Sequence, residues 1–219
     1  MFMEIPSEVA VMTLPRETLF PQALLPLYIF EPRYRRMLTE ALQSHRMFVI
    51  AMQRKGHARE CPSVIAGLGL IRVCVDNPDG SSHLILQGLS RVELTRTVRA
   101  KPFRVSKVRM LQAPPRDSVA IDALVAKVRD LVSERIRLGL RVRADVPQES
   151  IKEITTYLDR MSDPDEVADL VSHTLLPGPA ERQTILETIE IEPRLKHLIH
   201  FLMAEIKQSR KTKSQKSNE

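Results

Sequence analysis

Histidine and cysteine side chains at short spacing are the first candidates for metal chemistry. His57 and Cys61 lie four residues apart in a segment typical of a loop, and His197 and His200 lie three apart. A structural zinc site takes four ligands, usually as two such pairs, and neither pair has an evident second pair. Basic neighbours favour a solvated helix face for His197 and His200. We therefore predict no metal site.

Acidic residues and glycines do not predict catalysis either. Asp76, Asp79 and Glu93 could approach a cation, but an ordinary acidic turn explains them better. The seven glycines form no G-x-x-x-x-G-K-[ST] loop of the kind that binds nucleotide phosphates. A serine nucleophile needs a positioned base, and no motif in the sequence predicts one. The sequence therefore predicts a protein that is not an enzyme and has no cofactor.

Four prolines organise the apolar segment 14–34. The residue before a proline avoids the helical region, so the segments around Pro21 and Pro26 predict strand or turn backbone. Pro32 suits the first position of a helix, where its missing N–H costs nothing. A stripe at helical spacing follows and predicts a helix over 31–44: Tyr34, Met37, Leu38, Ala41 and Leu42.

The first half of the chain is otherwise strand-like. An Asp79-Gly80 turn separates two alternating runs, which predicts a β-hairpin. Gly67 and Gly69 inside a strand predict a bulge or a close backbone approach. Many short strands with one helix indicate a curled, barrel-like sheet that the helix plugs or covers.

A proline-rich stretch at 113–117 marks a boundary, and every element beyond it is helical. We therefore predict an α+β chain. A β-barrel of short antiparallel strands with one helix occupies residues 1–112, and an α-helical bundle occupies residues 113–206. A disordered basic tail is predicted over residues 207–219.

The charge distribution weakens a general case for nucleic-acid binding. Of the net charge of +6, the last thirteen residues contribute +4. No stretch approaches the apolar length of a membrane span, and no secretory signal is evident at the N-terminus. The two cysteines lack C-x-x-C spacing, so no disulfide framework is predicted. These features favour a cytoplasmic protein.

Two sets of motifs occur in a distinctive order along the chain. The first is the proline-interrupted segment 14–34, and the second consists of Val167-Ala168-Asp169-Leu170, Arg182-Gln183, Ile185-Leu186-Glu187 and Arg194-Leu195. This order resembles the N-terminal (LON, substrate-binding) domain family of Lon proteases, whose opening has a similar "LPLR…FP…LPL-IFEPRY" pattern. The resemblance covers residues 9–205 and implies a PUA-like barrel followed by helices.

The resemblance implies a non-catalytic protein-binding module, here a stand-alone protein without the family's ATPase and peptidase domains. Its partners would be unfolded or specific polypeptides, or it would act as an adaptor to another machine. The alternative is a PUA-like RNA-binding protein aided by the basic tail, with arginine clusters at 33–36 and 137–143. Only nine aromatic residues are available for base stacking, which makes nucleic acid the weaker hypothesis. A small-molecule site in the barrel is a third possibility.

The candidate partner-binding residues lie around Pro26 and directly after Pro32. Because Pro21 and Pro26 discourage regular strand pairing, we expect exposed apolar side chains near Leu24, Leu25 and Tyr28. In the functional interpretation, Arg33 and Tyr34 lie at the lip of a partner groove. The residues assigned to this surface are Leu24, Leu25, Tyr28, Arg33 and Tyr34.

A structural interpretation of the same region is favoured over the functional one. Glu31 would place a carboxylate at the helix N-terminus, Pro32 would set the first turn, and Tyr34 would bury its ring. Gly88 is predicted to allow a bend at a corner of the barrel, and Arg91 to form a pinned ion pair.

Overall fold

The computed structural model describes residues 4–56, 60–112, 118–140 and 150–216, with side chains described except at 150–153 and 212–216. The chain divides into two units, Met1–Gln112 and Ala113–Glu219. The first contains β1 (Glu8–Leu14), β2 (Leu24–Ile29), α1 (Pro32–Leu42), β3 (Met47–Met52), β4 (Ile65–Asp76), β5 (Ser82–Arg99) and β6 (Arg104–Leu111). The fold is α+β, as predicted.

The strands of the first unit form one sheet in the order β2-β5-β4-β3-β1-β6, and β6 also pairs with β5. The pairings of β5, β4, β3, β1 and β6 therefore return to their starting strand. The prediction of antiparallel strands throughout was wrong at one pair, because β1 and β3 run parallel. Since β2 and α1 lie between them in sequence, the chain has the crossover that a parallel pair requires.

The predicted β4–β5 hairpin is confirmed. Gly80 has a φ of 78° in the connecting turn, and Asn77 N–H donates to Ser81 O at 2.8 Å. Asp79 accepts hydrogen bonds from the Ser81 N–H and hydroxyl at 2.9 and 2.6 Å, and these bonds hold the pKa of its carboxyl below the usual value. The prediction of short strands fails for β5, which continues for 18 residues through Gly88.

Strands β1 and β3 are buried on both faces. Alternate side chains enter two separate apolar clusters, which explains the continuous apolar run of β3. On one face Met12, Phe48 and Ile50 pack with the predicted stripe of α1. On the other face the second cluster takes side chains from β1, β3, β4 and β5, with Val108 of β6 packed against it.

The connection between β1 and β2 lies directly on the sheet at its glycines. Leu19 and Phe20 are fully buried. A methyl group at Gly67 would overlap the carbonyl oxygen of Leu19, and one at Gly88 would overlap that of Phe20. The close approach predicted for Gly67 is therefore confirmed, and Gly88 has the same packing requirement.

We expect Gly88→Ala to lower the free energy of unfolding by about 2–3 kcal/mol, because the backbone of Phe20 must move to admit the methyl group. Chemical denaturation of the purified chain measures the change. Ser90→Ala on the same strand is the matched control and should change stability by less than about 1 kcal/mol. Equal effects of the two substitutions would contradict the close-packing argument.

The second unit is helical in the residues described. It contains α2 (Val119–Arg137), α3 (Ser150–Arg160), α4 (Pro164–Leu175), α5 (Pro179–Glu187) and α6 (Ile191–Lys216). The carboxylate of Asp163 caps α4 by accepting from Asp165 N–H at 2.9 Å. No helix among the residues described is both long and apolar enough to cross a membrane.

The expected disorder from residue 207 was wrong over most of that segment, because α6 continues through Lys216. Ile206 is buried and anchors the preceding turn, and Arg210 pairs with Glu134 of α2. Lysine, arginine and glutamine have good helix propensities, so the polar composition does not oppose the extension of an anchored helix.

Buried arginines join the helices of this unit. Arg135 on α2 and Glu205 on α6 form an ion pair at 2.7 Å, with side-chain exposures of 2% and 18%. Burial raises the pKa of the Glu205 carboxyl despite the opposing effect of Arg135. Arg194 is equally buried; its Nε donates to the Thr188 carbonyl at 2.7 Å and its Nη1 to Asp165 at 2.6 Å.

Replacing Arg135 with Met should lower the free energy of unfolding by about 3 kcal/mol at pH 7.5, because the Glu205 carboxylate loses its buried partner. The folded-state pKa of Glu205 lies above its unfolded value, so protonation favours folding. That stabilisation is fully present below the unfolded pKa and is lost as pH rises through the folded pKa. The deficit of Arg135→Met should therefore shrink at pH 4.5.

Urea unfolding at both pH values tests this prediction. Arg210→Met is the control, since it breaks a more exposed pair with Glu134 and should cost under about 1 kcal/mol. If Arg135→Met lowers the free energy of unfolding equally at both pH values, the loss is not due to the charge of Glu205.

Candidate functional site

The segment 31–34 forms the start of α1. Glu31 occupies the N-cap position without a side-chain capping bond, and Pro32 is the first helical residue. The Glu31 carboxylate instead accepts a hydrogen bond from Arg33 Nε at 2.9 Å. Arg33 also pairs with Glu60 and lies over the ring of Tyr34, 4.3 Å from its centroid. Arg33 is thus engaged by two carboxylates and a ring.

Tyr34 lies in the core and not at a surface lip. Its hydroxyl donates to Thr13 O and accepts from Thr13 N–H, both at 3.2 Å, and so joins α1 to β1. Burial raises the pKa of the phenol. These contacts give Tyr34 the buried position that the structural interpretation expected.

Strand β2 pairs regularly with β5, contrary to the expectation from its prolines. Gly88 N–H donates to Ala23 O at 2.8 Å, and Pro26 lies opposite Ile85. By the alternation of antiparallel pairs, Pro26 occupies a non-hydrogen-bonded position, where its missing N–H faces away from β5. Leu25 points into the core, whereas Leu24 and Tyr28 lie on the opposite, exposed face.

An exposed apolar surface extends from β2 across β5 to β4. In the register of these strands Tyr28, His83 and Val75 form one row, and Pro26, Ile85 and Val73 form the next. Directly opposite residues point to the same side of a sheet. We call this surface the β2–β5–β4 face; its members are Leu24, Pro26, Tyr28, Val73, Val75, His83 and Ile85, with Phe30 adjoining.

The large apolar side chains of this face are 37–60% exposed. Tyr28 stacks on His83 with a centroid separation of 4.7 Å, and on Phe30 with a separation of 5.7 Å. Gln22 and Gln87 are hydrogen-bonded to each other at one end of the face. An apolar surface with a polar rim is typical of a protein-interaction site.

A bulge in β4 determines which side chains reach this face. Ile71 lies opposite Leu86 and both are buried, but the next register pair is Val73 with Ile85. The extra residue, Arg72, shifts the alternation by one position. If β4 alternated regularly through Arg72, Val73 would point to the buried side of the sheet. Sequence reasoning missed Val73 for this reason.

The remaining predicted residues that the structure describes are not gathered into a second site. Among the described residues no group of three or more His, Cys, Asp or Glu could hold a metal ion. His57 lies outside the described residues. Arg91 is buried with its guanidinium 5.9 Å from the ring centroid of Phe20. Of the arginine cluster at 33–36, Arg36 is paired with Glu40 at 3.4 Å.

The chain belongs to the ATP-dependent protease La (LON) substrate-binding domain family, whose model matches residues 8–204. This result confirms the resemblance seen in the motifs. The match includes both the β2–β5–β4 face and the helical elements up to the middle of α6.

Curated relatives are Lon proteases. The Lon protease of Phenylobacterium zucineum is 28% identical over 90% of this chain and 25% of its own length. That of Methylocella silvestris is 27% identical over 86% of this chain and 23% of its length. The chain thus spans about a quarter of the length of these proteases.

Solved structures show the same fold. The N-terminal domain of Mycobacterium avium complex Lon protease superposes with a TM-score of 0.71 at 18% identity, covering 90% of this chain and 98% of that one. A Lon N-terminal domain protein from Xanthomonas campestris has a TM-score of 0.65 at 18% identity, with 90% and 99% covered.

Tyr34→Phe should lower the free energy of unfolding by about 1–2 kcal/mol, because it leaves the Thr13 N–H without its buried partner. Thermal or urea unfolding measures the change. Tyr157→Phe removes a hydroxyl from an exposed side chain and is the control. If both variants are as stable as the parent chain, the Tyr34 hydroxyl does not stabilise the fold.

Proposed function

We propose that this chain is a non-catalytic module that recognises polypeptides by binding their apolar side chains on the β2–β5–β4 face. The observation that carries the proposal is the exposure of Tyr28, Val73, Val75 and Ile85 in adjoining cross-strand rows. Membership of a substrate-binding domain family supports the same function. Unfolded segments present the apolar side chains that such a surface can cover.

The mode of binding that we propose is side-chain contact and not strand addition. Strand β2 ends the strand order, so its outer edge is the position where an extended peptide would add. Pro26 has no N–H at the middle of that edge, which interrupts the ladder an added strand would need. The stacked rings of Tyr28 and Phe30 offer wide apolar contact at small cost in side-chain entropy.

The proposal includes a PUA-like barrel as the scaffold of the face. Two observations support it. The pairings from β5 through β4, β3, β1 and β6 return to β5, and those strands contribute side chains to one apolar cluster or pack against it. A single polypeptide partner, for which the chain serves as an adaptor, would use the same face as unfolded substrates. The competing RNA hypothesis is less favoured, because Arg33 and Arg36 are paired with carboxylates.

Fluorescence anisotropy of a labelled, permanently unfolded polypeptide, with its folded counterpart as control ligand, tests the proposal. The double variant Tyr28→Ser/Val75→Ser should bind at least about tenfold more weakly, since two apolar contacts are lost. Binding of the parent chain should be tolerant of salt, because the contacts are apolar.

The matched control is Tyr157→Ser/Val119→Ser, which removes the same two exposed side-chain types from the helical unit. It should change the affinity by less than about twofold. Equal losses of affinity in both double variants would exclude the β2–β5–β4 face as the binding site. If the parent chain does not bind the unfolded polypeptide, general capture of unfolded chains is ruled out.

A further inference from the structure

A second recognition surface lies in the helical unit, between α2 and α6. The two helices leave a groove of about 880 Å³, lined by residues of both. Its apolar lining includes Leu131 of α2 and Met203, Ala204 and Ile206 of α6. Met203 is half exposed, whereas Leu195, Leu198, Leu202 and Ile206 of the same helix are buried.

The rim of this groove is basic. Lys127 on α2 and Lys207, Arg210 and Lys211 on α6 line it, and Glu134 is the single carboxylate among the described lining residues. Glu134 is already paired with Arg210. The lining groups therefore carry a net charge of +3 over an aliphatic floor, an arrangement that complements a partner with apolar and acidic groups.

The spacing of the lining residues matches a helical occupant. Met203, Lys207 and Lys211 recur every four residues along α6, and Lys127, Leu131 and Glu134 are spaced four and three residues apart on α2, so each set lies on one face of its helix. From His200 to Lys211 the groove extends along α6 for about 16 Å, which is the length of three helical turns. Two helices side by side offer a seam in which a third amphipathic helix packs.

We propose that the α2–α6 groove binds an acidic amphipathic helix of a partner protein. The partner's apolar stripe covers Leu131 and Met203, and its glutamates or aspartates face Lys127, Lys207 and Lys211. A second copy of this chain is a poorer fit, because each copy brings the same basic rim and a net charge of +6. Single-stranded nucleic acid is a poorer fit to the aliphatic floor, which lacks rings on which bases stack.

The probe is a synthetic 18-residue helix with leucine at i, i+3, i+4 and i+7 spacing and glutamate on its flanks, titrated with the full chain by fluorescence anisotropy. Saturable binding that weakens between 0.1 and 0.5 M salt is expected. A peptide with the leucines replaced by glutamine and one with the glutamates replaced by lysine should each bind at least about tenfold more weakly. Failure of the Glu/Leu peptide to bind overturns the proposal.

Variants of the chain locate the binding. Lys207→Glu/Lys211→Glu should weaken binding of the Glu/Leu peptide at least about tenfold, and Met203→Ser should weaken it about fivefold. Lys101→Glu/Lys107→Glu changes the net charge equally on exposed residues of the first unit and should have less than about a twofold effect. Circular dichroism verifies that each variant is folded. Equal losses in the two charge-reversal variants overturn the proposal.

Two further comparisons separate this groove from other surfaces. Tyr157→Ser/Val119→Ser should bind the Glu/Leu peptide as the parent chain does, because both side chains are exposed in the helical unit and neither lines the groove. A single-stranded oligonucleotide of equal charge should bind more weakly than the peptide. Tighter binding of the oligonucleotide, lost in Lys207→Glu/Lys211→Glu, would overturn the proposal in favour of a nucleic-acid site.

Discussion

The contact between the β1–β2 connection and the sheet is the constraint on which the first unit depends. Leu19 and Phe20 are fully buried, and their backbone rests where Gly67 and Gly88 have no side chain. Gln22 N–H then donates to Gly88 O at 2.9 Å, which fixes the point where β2 joins β5. Because β2 starts from that anchor, the contact determines which side chains of β2 point into the core. It also determines where α1 begins after β2. The exposed face thus depends on glycines on its buried side.

The two faces of the sheet differ in how far they are covered. One face is covered by α1 and buries the hydroxyl contact of Tyr34 with Thr13. The other face buries the second cluster where β1 and β3 pair, and Leu70 of β4 still packs against that cluster. After the bulge at Arg72, Val73 and Val75 of β4 lie on this same face, and both are exposed. The candidate site is therefore a continuation of a core surface beyond the part that is covered.

Local signals made much of this fold predictable. The Asp79-Gly80 turn, Pro32 at a helix start and the stripe of α1 each depend on neighbouring residues alone, and each was predicted correctly. The parallel pairing of β1 with β3 and the bulge at Arg72 depend on partners distant in sequence, so periodicity could not reveal them. Leu25 and Tyr28 were assigned to one surface although strand alternation separates them, because strand pairing was not expected beside Pro26.

The bulge at Arg72 makes the chemistry of the β2–β5–β4 face depend on the number of residues in β4 as well as on their types. Insertion of one residue there, with the bulge kept at a single residue, would bring Cys74, rather than Val75, opposite His83 on the exposed side. A substitution changes one contact at a time, whereas a one-residue insertion would exchange a whole row. Relatives with the same fold but a different exposed face could therefore diverge by a single insertion at this position, with the buried strands β1 and β3 left unchanged.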